Sequence, residues 1–209
     1  MKGICFIEPL HGKTVKKIKV QTRRLVVSRT GFFQVCSKNG VVTNIWQTDA
    51  NEWTGENLIP VKSRYKVGDV LYLKEPYCIG VNGCDTLPSL IYYKYNEKDM
   101  SFLTRTGLIN DIKWKNKLFM PEWCARHFIK ITSVHAERLQ NISNEDCIRE
   151  GIVFDGALYI NGFDKIQYLE PRAAYKALIN SINGKNTWDN NPWVWVYDYE
   201  LVDRKEVEL

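Results

Sequence analysis

Alternating apolar and polar residues predict a chain built largely from short strands. The longest alternating runs are residues 126–139 and 193–202, and the second of these is rich in aromatic side chains. Residues 22–28 have the β-branched content of a further strand. Residues 31–46 predict a hairpin that turns at Asn39-Gly40, because this dipeptide suits a tight two-residue turn. The pattern therefore indicates several antiparallel strands.

Helical signals are fewer and lie between these strands. Ser143 is followed three residues later by Asp146, which has the form of a capping box and predicts a short helix that ends at Gly151. A second helix is expected to begin near Pro171, and residues 9–19 predict a helical turn with a basic outer face. Without a regular alternation of strands and helices, the prediction is an α+β fold on a small, mostly antiparallel barrel with two or three flanking helices.

Composition narrows the class of protein. The 209 residues, 44% hydrophobic and 25% charged, predict one globular domain, and the net charge of +5 favours anionic partners. Six cysteines without a C-x-x-C pair, and no signal peptide, indicate a cytoplasmic protein. Cys124, His127 and His135 have too few converging partners for zinc, so no metal and no cofactor are expected. No apolar run reaches membrane-spanning length.

The segment Lys19 to Arg24 carries the most unusual chemistry. It brings a lysine, a hydroxyl and two guanidinium groups to a predicted helix-to-strand junction. Period-two geometry places Thr22 and Arg24 on one face, the inward candidate, and Arg23 on the other. Lys19 can serve as a base if burial or a neighbouring cation lowers its pKa. The alternative is a solvated basic turn followed by an exposed strand.

Five ordered blocks spread over most of the chain resemble ASCH proteins, members of the PUA-like superfamily, and especially their phage-associated branch. The blocks are residues 19–24, 65–75, 119–126, 137–143 and 188–196. The resemblance implies one PUA-like barrel domain over residues 1–209. Insertions are then expected near residues 29–64, 76–117 and 152–170.

Small bacterial ASCH enzymes remove an acyl group from N4-acetylcytidine. The resemblance places their proposed catalytic positions on Lys19, Thr22 and Glu150. This chain departs from them at Val20, where a threonine is usual, and in its greater length. The resemblance implies that Lys19 takes a proton from Thr22 or water, while Glu150 passes a proton to the departing amine.

Three functions follow as hypotheses. The first is binding of a nucleic acid, RNA rather than DNA, or of a modified nucleobase. In this case phosphates would contact Lys17, Arg23 and Arg24, and bases would stack on Trp123 and Trp193. The second is amide hydrolysis of N4-acylcytidine-type nucleosides. The third is a phage accessory protein that acts through protein contacts. The sequence leaves the oligomeric state open.

Overall fold

The computed structural model describes residues 1–27, 33–38, 41–48, 58–79, 91–108 and 112–207. These residues form an α+β fold, which confirms the predicted class. The strands are β1 Lys2–Cys5, β2 Gln21–Leu25, β3 Phe33–Lys38, β4 Val41–Thr48, β5 Leu58–Val61, β6 Val70–Lys74, β7 Tyr77–Ile79, β8 Ile91–Tyr93, β9 Phe128–Arg138, β10 Val153–Phe154, β11 Tyr159–Ile160 and β12 Trp193–Val202. The helices are α1 Leu10–Val15, α2 Glu97–Arg105, α3 Asn144–Arg149, α4 Pro171–Asn183 and α5 Arg204–Val207.

The chain divides into two compact units, each assembled from separate stretches of sequence. The first unit contains Met1–Lys16, Val70–Lys130 and Leu201–Leu209, and the second contains Lys17–Asp69 and Ile131–Glu200. Strand β9 contributes its first residues to the first unit and the remainder to the second.

The first unit is organised around a mixed sheet. Strand β1 runs parallel to β6, and β6 runs antiparallel to the first residues of β9. Buried residues on β6, on β7 and in residues 120–128 form a hydrophobic core. Its members are Tyr72, Tyr77, Met120, Cys124, Ala125 and Phe128. This core anchors the segment between α2 and β9.

The second unit pairs its strands antiparallel. Strand β2 lies beside β12, with Thr22 opposite Tyr197, while β4 pairs with β3 and β5 and meets β9 at one pair of residues. Helix α4 packs against α3 and buries Tyr175 and Leu178 almost completely. Helix α3 and strand β2 position the polar side chains described below.

Several elements differ from the sequence prediction. Strand β5 lies within the stretch expected to be an insertion loop, and it forms because its residues pair with β4. The turn at Asn39-Gly40 lies outside the described residues, although the flanking strands β3 and β4 pair as a hairpin requires. Pairings among the described residues do not close a barrel. In the same residues, no helix has both the length and the apolar character needed to cross a membrane.

Candidate functional site

The start of strand β2 is fixed by backbone hydrogen bonds on either side of Val20. The Val20 N–H donates to the Arg149 carbonyl at the end of α3 (2.9 Å), and the Tyr199 N–H donates to the Val20 carbonyl (3.0 Å). These bonds hold the chain between a helix end and strand β12. The side chains of Lys19 and Gln21 are therefore placed by well-ordered elements.

Helix α3 presents Glu150 at its C-terminal end. The Ser143 side chain accepts a hydrogen bond from the Asp146 N–H (3.0 Å), which confirms Ser143 as the N-terminal cap of the predicted helix. Glu150 is the C-terminal capping residue, and Gly151 follows with φ of 101°, a conformation that favours glycine. Both ends of this six-residue helix are thus specified locally, so the position of the Glu150 carboxylate is well defined.

Lys19 and Glu150 form a buried ion pair. Lys19 Nζ donates to Glu150 Oε2 (2.5 Å), to the Glu150 carbonyl (3.0 Å) and to the Gln21 carbonyl (2.6 Å). The exposed fractions of the two side chains are 1% and 5%. Burial, together with the positive charges of Arg24 and Arg23, lowers the pKa of Lys19, although the adjacent Glu150 raises it. The amine is thus easier to deprotonate than an exposed lysine, although three acceptors surround it.

Arg23 completes the environment of Glu150. Its guanidinium contacts Glu137 Oε1 (2.7 Å), Asp146 Oδ2 (3.3 Å) and Glu150 Oε1 (3.3 Å), and it donates to the Gln21 side-chain oxygen (2.5 Å). Burial alone would lower the pKa of Arg23, but Glu150 and the other acidic neighbours raise it above its ordinary value. Each Glu150 oxygen therefore faces its own cation.

Partly exposed polar side chains form a rim beside this pair. Gln21 donates to Asp198 (2.8 Å) and to Asp146 (3.2 Å), and Arg149 contacts the same two carboxylates. The side chain of Arg149 is 44% exposed and that of Asp146 is 26% exposed. Arg23 and neighbouring donors lower the pKa of Asp146 although its burial would raise it. The rim is therefore an ordered ion-pair network.

We call these residues the Lys19–Glu150 cluster. Its cations are Lys19, Arg23 and Arg149, and its carboxylates are Glu137, Asp146, Glu150 and Asp198. Three cations therefore face four carboxylates. The cluster carries one net negative charge when all of these groups are ionised.

The structure brings Lys19 and Glu150 together and buries side chains on both faces of β2. Arg23, and not Arg24, points into the cluster, because Glu137 and Asp146 supply the carboxylates that satisfy a buried guanidinium. Thr22 is buried on the face opposite to Arg23. Hydrogen bonds among the described residues do not join the Thr22 hydroxyl to Lys19 or Glu150.

The remaining predicted binding residues have varied surroundings. Lys17 is exposed and has φ of 58°, and Arg24 is half-buried. Trp193 is half-buried at the start of β12, with the Arg138 guanidinium 4.7 Å from the ring centre. Trp123 belongs to the first unit, where its side chain is 58% exposed.

Sequence reasoning did not identify the carboxylates that surround Arg23. The sequence predicts Asp146 only as part of the helix start, where its N–H donates to Ser143. In the structure its carboxylate also contacts Arg23. Glu137 lies in strand β9, where the alternating pattern predicts a strand but no contact with Arg23. Both contacts join residues more than one hundred positions apart, so local spacing holds no signal for them.

The first unit contains a second buried polar cluster, which the sequence did not predict. Glu75 is fully buried and accepts two hydrogen bonds from Arg126, at 2.7 and 2.8 Å. Burial raises the pKa of Glu75 although Arg126 lowers it. This bidentate pair forms the centre of what we call the Glu75 cluster.

His11 adjoins this pair without a hydrogen bond from its ring nitrogen Nε2. That nitrogen is buried and lies 4.0 Å from Glu75 Oε1, while Nδ1 lies 3.8 Å from Glu8 Oε1. Both distances exceed hydrogen-bonding reach. Burial, with smaller contributions from His127, Arg126 and Lys117, lowers the pKa of His11 to about 3. The imidazole is therefore neutral at neutral pH.

The Lys19–Glu150 cluster has the components of an acid–base pair. A lysine with a lowered pKa can exchange a proton with a carboxylate that it contacts directly, and a second cation holds that carboxylate in place. Among the described residues, no group of three or more His, Cys, Asp or Glu side chains has the arrangement of a metal site.

Comparison with known proteins gives no relative for this chain. It matches no family model, no curated protein and no solved structure.

Proposed function

We propose that the Lys19–Glu150 cluster hydrolyses an amide bond of an N-acylated nucleobase, of the N4-acylcytidine type, within a PUA-like cleft of the ASCH kind. The observation that carries the proposal is the direct contact between Lys19 Nζ and Glu150 Oε2 in a buried setting. Proton transfer inside this pair leaves its total charge unchanged. The buried environment therefore does not oppose the transfer as strongly as it opposes creation of a new charge.

The reaction uses the neutral form of the pair. After Lys19 has passed a proton to Glu150, its amine accepts a proton from water as the oxygen attacks the acyl carbon. The tetrahedral intermediate then breaks its carbon–nitrogen bond, and the Glu150 carboxylic acid gives its proton to the departing amine. The products are a carboxylic acid and a free amine, and Lys19 and Glu150 return to their charged forms.

Water is the nucleophile in this scheme. Thr22 lies on the opposite face of β2 from Gln21 and Arg23, which belong to the cluster. Arg23 then has a positioning role, because it holds Glu150 Oε1 while Oε2 faces Lys19.

The rim of the cluster pairs its own charges. The carboxylates of Asp146 and Asp198 both contact the Arg149 guanidinium. A charged substrate would have to compete with these ion pairs. An acylated base or nucleoside has no charge at its reacting end, which supports an uncharged substrate.

Incubation of the protein with N4-acetylcytidine, with chromatographic detection of free cytidine, tests the proposal. Glu150→Gln removes the proton donor and is expected to lower turnover by about 100-fold or more. Lys19→Arg keeps the positive charge but removes a group that can act as a base, so it should also be inactive. Absence of cytidine release by the natural sequence would overturn the proposal.

Glu145→Gln is the matched control for Glu150→Gln. Glu145 lies on the same helix and is exposed, so its variant should retain full activity. Circular dichroism of all variants separates lost chemistry from lost folding. Equal turnover in Glu150→Gln and Glu145→Gln would also contradict the proposal.

A second candidate function is binding of RNA or a nucleobase without hydrolysis. Two basic residues support it. Lys17 is exposed and precedes β2, and Arg24 is half-buried within β2. Arg24→Gln should then weaken binding of a short RNA, and the loss should shrink as salt rises. Unchanged binding at low salt would contradict this candidate.

A further inference from the structure

The first unit exposes three large apolar side chains within one short segment. Leu118 is 58% exposed, Phe119 is 79% exposed and Trp123 is 58% exposed. Large exposed apolar surfaces mark interaction sites in soluble proteins. The segment is thus a candidate binding surface.

The backbone beneath these side chains is held in place. The two short 3₁₀ turns Lys117–Phe119 and Glu122–Cys124 carry them. Buried Met120 lies between Phe119 and Trp123, and its carbonyl accepts a hydrogen bond from the Tyr72 hydroxyl (3.0 Å). Buried Cys124 follows Trp123, and its carbonyl accepts a hydrogen bond from the Tyr93 hydroxyl (2.6 Å). The exposed rings therefore stand on a backbone anchored to the core, which reduces the entropy lost when they bind a partner.

Three lysines lie in this segment or contact it. Lys74 Nζ donates to the Leu118 carbonyl (2.8 Å), and Lys115 Nζ lies 5.8 Å from the centre of the Tyr77 ring. Both contacts are to uncharged groups, so they do not neutralise the ammonium charges. Lys113 is exposed two residues before Lys115.

The segment contains one acidic residue, Glu122. With Glu122 counted against Lys74, Lys113 and Lys115, three positive charges face one negative charge. We call Phe119, Trp123 and these three lysines the aromatic–lysine surface.

We propose that the aromatic–lysine surface binds single-stranded nucleic acid. Exposed rings stack on the faces of unpaired bases, and lysines beside them contact the phosphates between those bases. A duplex hides the base faces inside its stack. A protein partner fits less well, because lysines are depleted from the cores of protein–protein interfaces. This binding does not depend on hydrolysis at Lys19.

Fluorescence anisotropy with labelled single-stranded RNA and DNA of about 12 nucleotides tests the proposal, since one such site spans about 4–16 nucleotides. Trp123→Ala and Phe119→Ala are each expected to weaken binding by about tenfold, the effect of losing one stacked base. The double variant Lys113→Gln, Lys115→Gln should reduce the slope of log affinity against log salt by about 1.4. Comparison of the two probes shows whether the surface prefers single-stranded RNA or single-stranded DNA.

Phe154→Ala is the matched control. Phe154 is an exposed aromatic residue of the second unit, 53% exposed, and is followed by Asp155 rather than by lysines. Its variant should bind the probes as the natural sequence does. Because Phe119 and Trp123 are exposed, their variants should also unfold at the same temperature as the natural protein.

Three results would overturn the proposal. One is no binding of either probe at low salt. A second is equal binding of polyglutamate, since this polyanion has no bases to stack. A third is sedimentation showing a dimer that Phe119→Ala dissociates, because the exposed rings would then bind a second copy of the chain.

Discussion

The two buried polar clusters differ in how completely their groups are paired. In the Lys19–Glu150 cluster, Lys19 Nζ has three acceptors and each Glu150 oxygen faces a cation. In the Glu75 cluster the carboxylate is paired with Arg126, but the His11 ring nitrogen Nε2 has no hydrogen bond. Both clusters are buried, so burial alone does not distinguish them.

The difference shows two ways of setting a protonation state. In the second unit, burial lowers the pKa of Lys19 while the adjacent Glu150 carboxylate raises it. The two side chains are in direct contact, so a proton can pass between them. In the first unit, burial is the largest cause, and the His11 imidazole is neutral because burial opposes its charged form. The first arrangement suits proton transfer, whereas the second suits a group that stays neutral.

Glu150→Gln should produce the largest loss of stability. It removes the carboxylate that faces two buried cations, and breaking a buried ion pair on one side destabilises a protein by about 3–5 kcal/mol. Urea unfolding followed by tryptophan fluorescence measures the free energy. Glu200→Gln, at an exposed carboxylate of the same unit, is the control. A loss below about 1 kcal/mol for Glu150→Gln would show that the ion pairs of Glu150 contribute little to the free energy of unfolding.

Glu75→Gln tests the paired part of the other cluster. Glutamine keeps an acceptor for Arg126 but loses the charge, so the free energy of unfolding should fall by about 1.5–3 kcal/mol. Glu97→Gln, at an exposed carboxylate of α2, should have a smaller effect. If Glu75→Gln and Glu97→Gln lower the free energy of unfolding equally, the Glu75–Arg126 pair contributes no more to stability than an exposed carboxylate does.

His11→Leu should be nearly neutral at pH 7, with a change below about 1 kcal/mol. Replacing a buried polar group that lacks a hydrogen bond with an apolar one removes an unsatisfied group. Urea unfolding again measures the change. A loss of several kcal/mol would show that His11 makes a stabilising contact.

The same variant should change how stability depends on pH. The pKa of His11 is about 3 in the folded protein against 6.5 when exposed, so the unfolded chain binds the extra proton. Its contribution is fully present above about pH 6.5 and is lost as the pH falls toward 3. His127, with a pKa lowered to about 4, acts in the same direction.

The nearby carboxyl groups act in the opposite direction. Burial raises the pKa of Glu8 and of Glu75, so both bind protons more readily in the folded protein. The comparison of the natural sequence with His11→Leu therefore isolates the histidine. Between pH 7 and 4 the natural protein should lose more stability than the variant, and equal losses would contradict this interpretation.

Lys176→Ala should have the smallest effect. Its ion pair with Asp189 has a separation of 2.9 Å, but the side chains are 45% and 58% exposed. Exposed pairs contribute about 0–1 kcal/mol, so the free energy of unfolding should change by less than about 1 kcal/mol. A loss comparable with that of Glu150→Gln would mean that contact distance outweighs burial.

Local sequence signals predicted elements well. The capping box at Ser143 correctly indicated α3, and alternation correctly indicated β9 and β12, because these signals depend on neighbouring residues. Strand β5 was missed because its pairing with β4, and not its own alternation, makes it a strand. Helix α2 was left unassigned, since only Leu103 in it is buried.

The candidate site was less accessible to sequence reasoning. Period-two geometry correctly separated Arg23 from Thr22 and Arg24, but it could not say which face meets the Lys19–Glu150 cluster. That choice depends on Glu137 and Asp146, which arrive from β9 and α3. The meeting of Lys19 with Glu150 was expected only from the family resemblance. No sequence signal indicates that His11 lies near Glu75, because the two residues belong to separate stretches of the first unit.

The hydrogen bond from Lys19 to the Glu150 main-chain carbonyl has a consequence for how the protein assembles. Carbonyl groups at the end of a helix lack partners within it, so Lys19 acts as a cap for α3 from 131 residues away. A lysine cannot be buried before its acceptors arrive. During synthesis, the segment that carries Lys19 must therefore remain hydrated until residue 150 has emerged. A fragment that stops short of α3 should leave the start of β2 unfolded.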